Sequence, residues 1–67
     1  MEIFLNDETR EVAPETTLKN VLDTLGLPSF DGVAVSVNET VVRRDEWATR
    51  PLAPHDRLLL IRAAQGG

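Results

Sequence analysis

Apolar and polar positions along this chain switch between two periods, and the switches divide it into elements. "EIFLN" opens with Ile3 and Leu5 on one face and Phe4 on the other, the two-residue period of a strand. Asn6, Asp7 and Glu8 supply turn chemistry, and "TREVA" reads as the returning strand of a hairpin. "PETTLKNVLDTLGLP" changes to the helical period. Leu18, Val21, Leu22 and Leu25 form one stripe, with Thr17 or Thr16 as N-cap. Gly26 sits where a helix ends in a left-handed residue, Leu27 is placed for the accompanying apolar contact, and Pro28 stops the helix. The result is a helix of about ten residues that needs a sheet to pack against.

"SFDG" reads as a loop. "VAVSV" puts Val33, Val35 and Val37 on one face, and Asn38 and Glu39 turn the chain into "TVVR", a second hairpin. "RDEWATRPLAPHD" carries two prolines and several turn formers, so it reads as a loop with room for one helical turn around Trp47. "RLLLIRA" is the last strand, with Leu58 and Leu60 on one face and Leu59 and Ile61 on the other. The order strand, strand, helix, strand, strand, loop, strand predicts an α+β fold, a mixed sheet of about five strands packed on one main helix. The expected core is Ile3, Leu5, Val12, Leu18, Val21, Leu22, Leu25, Val35, Val37, Trp47, Leu58 and Leu60.

Size narrows the function. With 67 residues the chain reads as one domain, residues 1–67, ending in a flexible tail at 63–67. A chain this short buries only about 60% of its unfolded surface, which leaves little room for a wide catalytic cleft. That favours a carrier, a binding module or a subunit over an enzyme. The absence of cysteine excludes disulfides and thiolate metal sites. "MEIFLNDETR" lacks the basic region and long apolar run of a signal peptide. No stretch approaches the ~20 apolar residues of a membrane span. The expectation is a cytoplasmic protein with no membrane partner. A net charge of −4, with no cluster of cations, argues against nucleic acid.

Candidate chemistry is sparse. His55 has no nucleophile or second His in its neighbourhood of sequence and reads as a loop histidine. Asp45 and Glu46 could form a carboxylate pair, but two acids just before a Trp read as a turn or cap, and Trp47 as a core plug. The outer face of the sheet offers more. Phe4, Leu59 and Ile61 alternate away from the expected core and would form an apolar patch suited to a partner. The chain then ends "AAQGG" after its most apolar run. Gly66 and Gly67 lack Cβ atoms, so with Gln65 they can thread a narrow channel. Extended at ~3.3 Å per residue, the segment beyond Arg62 reaches roughly 15 Å.

The element order, the short length and the terminal "GG" resemble the ubiquitin-like β-grasp proteins. "VAVSVNETVVRRDEWA", "MEIFLNDE" and "TTLKNVLDTLGL" together resemble the sulfur carriers of the ThiS/MoaD family, over essentially the whole chain. The chain departs from the family pattern at Arg43, where Pro is common, and at Gln65, where Ala is common. The resemblance implies a β-grasp fold and a protein co-substrate with no cofactor of its own. It implies that the Gly67 carboxylate is adenylated by a ThiF-like adenylyltransferase using MgATP. The adenylate is then converted to a thiocarboxylate, with sulfur from a donor protein, and used by a ThiG-like thiazole synthase in thiamine biosynthesis. Carriers for molybdopterin or cysteine pathways share this chemistry. An unmodified ubiquitin-like interaction module is the alternative of another class.

Overall fold

The structure is a computed structural model in which residues 1–62 are described. The elements are β1 (Glu2–Leu5), β2 (Glu8–Glu11), α1 (Leu18–Asp23), β3 (Val33–Val37), β4 (Thr40–Val42), a 3₁₀ helix (Arg44–Thr49) and β5 (Arg57–Arg62). The strands form one sheet in the order β2-β1-β5-β3-β4. β5 is parallel to β1 and antiparallel to β3, so the last strand lies in the middle. With α1 packed on one face, this is the mixed five-strand sheet on one helix that the element order predicts, in the β-grasp arrangement that the family resemblance implies.

Both hairpins close through two residues with positive φ: Asn6 and Asp7 at 48° and 70°, Asn38 and Glu39 at 51° and 71°. Paired left-handed residues match the natural twist of two antiparallel strands, and Asn adopts that conformation more readily than most residues. Glu8 is therefore the first residue of β2 rather than part of the turn. β2 ends at Glu11, which leaves Val12 outside the strand and only half-buried.

The helix starts where its cap is. The Thr17 hydroxyl accepts from the Asn20 backbone N–H at 3.3 Å, and the Asn20 side chain accepts from the Thr17 N–H at 3.1 Å. That reciprocal pair satisfies two donors that the first turn would otherwise leave open. The helix is six residues long, shorter than its stripe predicts, with Thr24 as C-cap and Gly26 left-handed at φ 68°. Leu25 thus follows the helix end and is half-buried, while Leu18, Val21 and Leu22 are buried.

Two core positions escape the periodicity. Val42 faces inward opposite Val35 on β3. Leu52 is buried because Arg50–Leu52 runs against the start of α1: Leu18 N–H donates to the Arg50 carbonyl at 2.9 Å, and Leu52 N–H to Thr16 at 3.1 Å. Trp47 plugs the core from the 3₁₀ helix, its indole N–H donating to the Val42 carbonyl at 3.1 Å. Phe30, in the stretch read as a loop, packs edge-on against it with ring centres 5.5 Å apart. Leu60, expected in the core, is only half-buried, because β1 stops at Leu5 opposite Leu58 and gives no cover further along β5.

Candidate functional site

β5 sets the geometry of the outer face. Alternation along it turns Leu58 into the core and Leu59 and Ile61 away from the helix. Leu59 is 48% exposed and Ile61 53%. In the antiparallel pairing with β3, Leu59 lies opposite Ser36 and Ile61 opposite Ala34. Both partners are small, so the leucine and isoleucine stand proud of the sheet. Phe4 comes from β1, where its register partner on β5 is Arg57, and it is half-buried.

The three residues picked from alternation therefore do share one concave stretch of surface. The structure adds a fourth. Val41 lies opposite Ser36 on the other side of β3 and is 70% exposed, the most exposed large apolar residue of the described chain. Its signal in the sequence is faint, because "TVV" is too short to fix which valine faces in. The Arg57 guanidinium lies over the Phe4 ring, 5.3 Å from its centre. That puts one cation within the apolar surface, with Asp7 and Glu39 at its margins.

The frame behind this surface is polar and well fastened. Asp56 is 9% exposed. Its carboxylate accepts from the Asn38 side-chain amide at 2.9 Å and from the Ala53 N–H at 2.8 Å. The Asn38 side-chain oxygen accepts in turn from the Arg57 N–H at 3.0 Å. The Asp56 carbonyl takes the Phe4 N–H at 2.9 Å. These bonds lock the start of β5 to the β3–β4 turn and to β1. Sequence reading passes over Asp56, since nothing local marks it as buried.

The other candidates separate cleanly. His55 is exposed and left-handed at φ 69°, and its N–H donates to the Glu2 carbonyl at 2.6 Å. Its part is to shape the chain entering β5. Asp45 and Glu46 are exposed in the first turn of the 3₁₀ helix, where acids complement the helix start. Among the described residues no group of three or more His, Cys, Asp or Glu could hold a metal ion. No described helix is long and apolar enough to cross a membrane. Gln65, Gly66 and Gly67 lie outside the described residues, three to five positions beyond Arg62 at the end of β5.

Comparison with known proteins decides the relationship. The model of a family described as the ThiS family matches residues 3–67. The chain belongs to the ThiS family. A relative of this ThiS-family chain, the sulfur carrier protein ThiS of Escherichia coli (strain K12), is 30% identical over 67 residues, covering 100% of both chains. The fold agrees as well. A crystal structure of the thiamine biosynthesis protein ThiS from Geobacter metallireducens superposes with a TM-score of 0.84 at 20% identity, over 100% of both chains. A solution structure of a thiamine biosynthesis protein from the same organism gives 0.77 at 20% identity, covering 100% of this chain and 88% of that one.

Proposed function

We propose that this chain is a sulfur carrier of thiamine biosynthesis, a protein co-substrate whose reactive group is the carboxylate of Gly67. The observation that carries the reading is the family match, which runs through the Gly66-Gly67 end. The E. coli relative matched over its full length is a sulfur carrier protein by name. The surface of Phe4, Val41, Leu59 and Ile61 supports it, because β5 leads from that surface directly into the last five residues.

The chemistry follows from the group. A carboxylate is a poor electrophile because its charge is shared by both oxygens. An adenylyltransferase of the ThiF type overcomes this with MgATP. A Gly67 oxygen attacks the α-phosphorus of ATP, pyrophosphate leaves, and an acyl-adenylate forms. Sulfide then attacks the acyl carbon. The bond to the AMP oxygen breaks, AMP leaves, and a thiocarboxylate remains. Its sulfur is anionic and nucleophilic, so a thiazole synthase can use it to build the thiazole ring. Glycine suits the position because it lacks a Cβ and adopts backbone angles closed to other residues. The apolar surface docks on the partner enzymes and holds the chain while its end enters the active site.

The test is intact mass spectrometry of the chain incubated with the ThiF-type adenylyltransferase of its source organism, MgATP and sulfide. The expected gain is the mass difference between one sulfur and one oxygen. A chain lacking Gly66 and Gly67 should gain nothing and fail to rescue a thiamine-requiring strain. Its unfolding free energy should change by no more than about 0.5 kcal/mol, as for a surface change. Rescue by the truncated chain would refute the reading.

A further inference from the structure

The parallel pairing of β1 and β5 stops before β5 does. Phe4 N–H donates to the Asp56 carbonyl and Asn6 N–H to the Leu58 carbonyl, each at 2.9 Å. Donors two residues apart meet acceptors two residues apart, the regular rungs of a parallel ladder. The next rung would carry the Leu60 N–H to the Asn6 carbonyl. Instead the Asn6 side-chain oxygen accepts it, at 2.9 Å. At Asn6 the backbone has already turned left-handed, at φ 48°, to enter the β1–β2 turn. The side chain stands in for a strand that has left.

Beyond that substitute rung, β5 continues to Arg62. On its other edge Arg57, Leu59 and Ile61 face β3 and the turn that follows it, where the Asn38 N–H donates to the Arg57 carbonyl at 2.8 Å. Backbone groups alternate sides along a strand, so the Leu60 carbonyl and the Arg62 N–H point to the edge that β1 has vacated. No hydrogen bond from the described residues of β1 or of the β1–β2 turn reaches them. Among the described residues nothing pairs with this short length of sheet edge in the middle of the molecule, immediately before residues 63–67.

We infer that this edge takes an extended strand of the adenylyltransferase, paired through the Leu60 carbonyl and the Arg62 N–H. The inference rests on the reading of the chain as a substrate of that enzyme. An open edge is a ready template for a strand from another chain. Two backbone groups are too few to hold a second copy of this chain by themselves. They suit an occupant that gains the rest of its contacts elsewhere, and β5 offers those contacts on both sides of the edge. Leu59 and Ile61 lie on the outer face, and the chain that the enzyme must grip follows Arg62. Strand pairing would also set the direction in which that chain leaves the sheet.

The experiment compares Arg62→Pro with Arg62→Ala in titrations against the adenylyltransferase of the source organism. Proline removes the N–H that faces the open edge and leaves the bonds to β3 in place, whereas alanine removes only the side chain. Circular dichroism should show both variants folded. Arg62→Pro is expected to weaken binding about tenfold beyond the effect of Arg62→Ala, the scale of losing one backbone rung and leaving its partner unpaired. In the wild-type complex, amide exchange at Arg62 should slow strongly, while that at Leu59, already bonded to β3, should change little. Equal binding by the two variants, or no protection of the Arg62 amide in the complex, overturns the strand-pairing inference. If the wild-type chain fails to bind the enzyme at all, the carrier reading falls first. Sedimentation of the free chain as a dimer that Arg62→Pro dissolves would assign the edge to a second copy and also refute the inference.

Discussion

Replacing Asp56 by Ala should destabilise this chain more than any other substitution of an acidic residue. The carboxylate holds two hydrogen bonds, from Asn38 Nδ2 at 2.9 Å and from the Ala53 N–H at 2.8 Å, in a site only 9% exposed. A bond to a charged group contributes about 1.5–3 kcal/mol when its loss leaves a partner unpaired. Asn38 is exposed and regains water, so its share falls at the low end. The Ala53 N–H sits at a part-buried bond and recovers less. The net loss is about 2–4 kcal/mol. At ~0.05–0.15 kcal/mol per residue, a chain of 67 residues has about 3–10 kcal/mol in total. The loss is thus a fifth or more of the whole. Urea unfolding followed by circular dichroism and Trp47 fluorescence measures it. With an m-value of about 1 kcal/mol/M for so small a protein, the midpoint should fall by about 2 M or more. A double-mutant cycle with Asn38→Ala isolates the pair, because the strain of alanine at a φ of 51° cancels between the arms. A loss below about 0.5 kcal/mol, or a coupling energy of zero, would refute the account of how β5 is anchored.

Two further outcomes follow from the same packing. Leu58→Asp buries an unpaired charge and should unfold the chain, whereas Leu59→Asp should leave it folded by circular dichroism. Leu59→Asp should weaken adenylyltransferase binding by about 2 kcal/mol, roughly thirtyfold, in a binding titration; the reverse pattern would mean that β5 faces the other way. Leu22→Ala, at a fully buried position on α1, should cost about 2–5 kcal/mol, read as a lowered urea midpoint, and an unchanged midpoint would contradict the burial of that stripe.

Much of this protein is legible in local pattern. Alternation along "EIFLN", "VAVSV" and "RLLLIRA" is enough to divide core from outer face at Ile3, Leu5, Phe4, Leu59 and Ile61, because side chains alternate by a rule that needs no partner. The Asn-led turns and the Thr17 cap are local too, since the residues that bond there lie within three positions of each other. The carrier chemistry proposed for Gly67 belongs to the same class of inference, being read from residue type and family pattern, on residues outside those the structure describes.

What the pattern misses is set by contacts between distant parts of the chain. Leu52 is buried because residues 50–52 bond to Thr16 and Leu18, more than thirty positions away, and no period in "RPLAPHD" could signal it. Asp56 is buried because Asn38 folds back to receive it across 18 positions. Leu60 is half-exposed and its N–H is held by Asn6, 54 residues earlier, because a parallel neighbour ends where its own hairpin begins. Alternation tells a strand residue which face it takes. Only the assembled sheet decides how far its neighbours run, and so which backbone groups at its edge are left open.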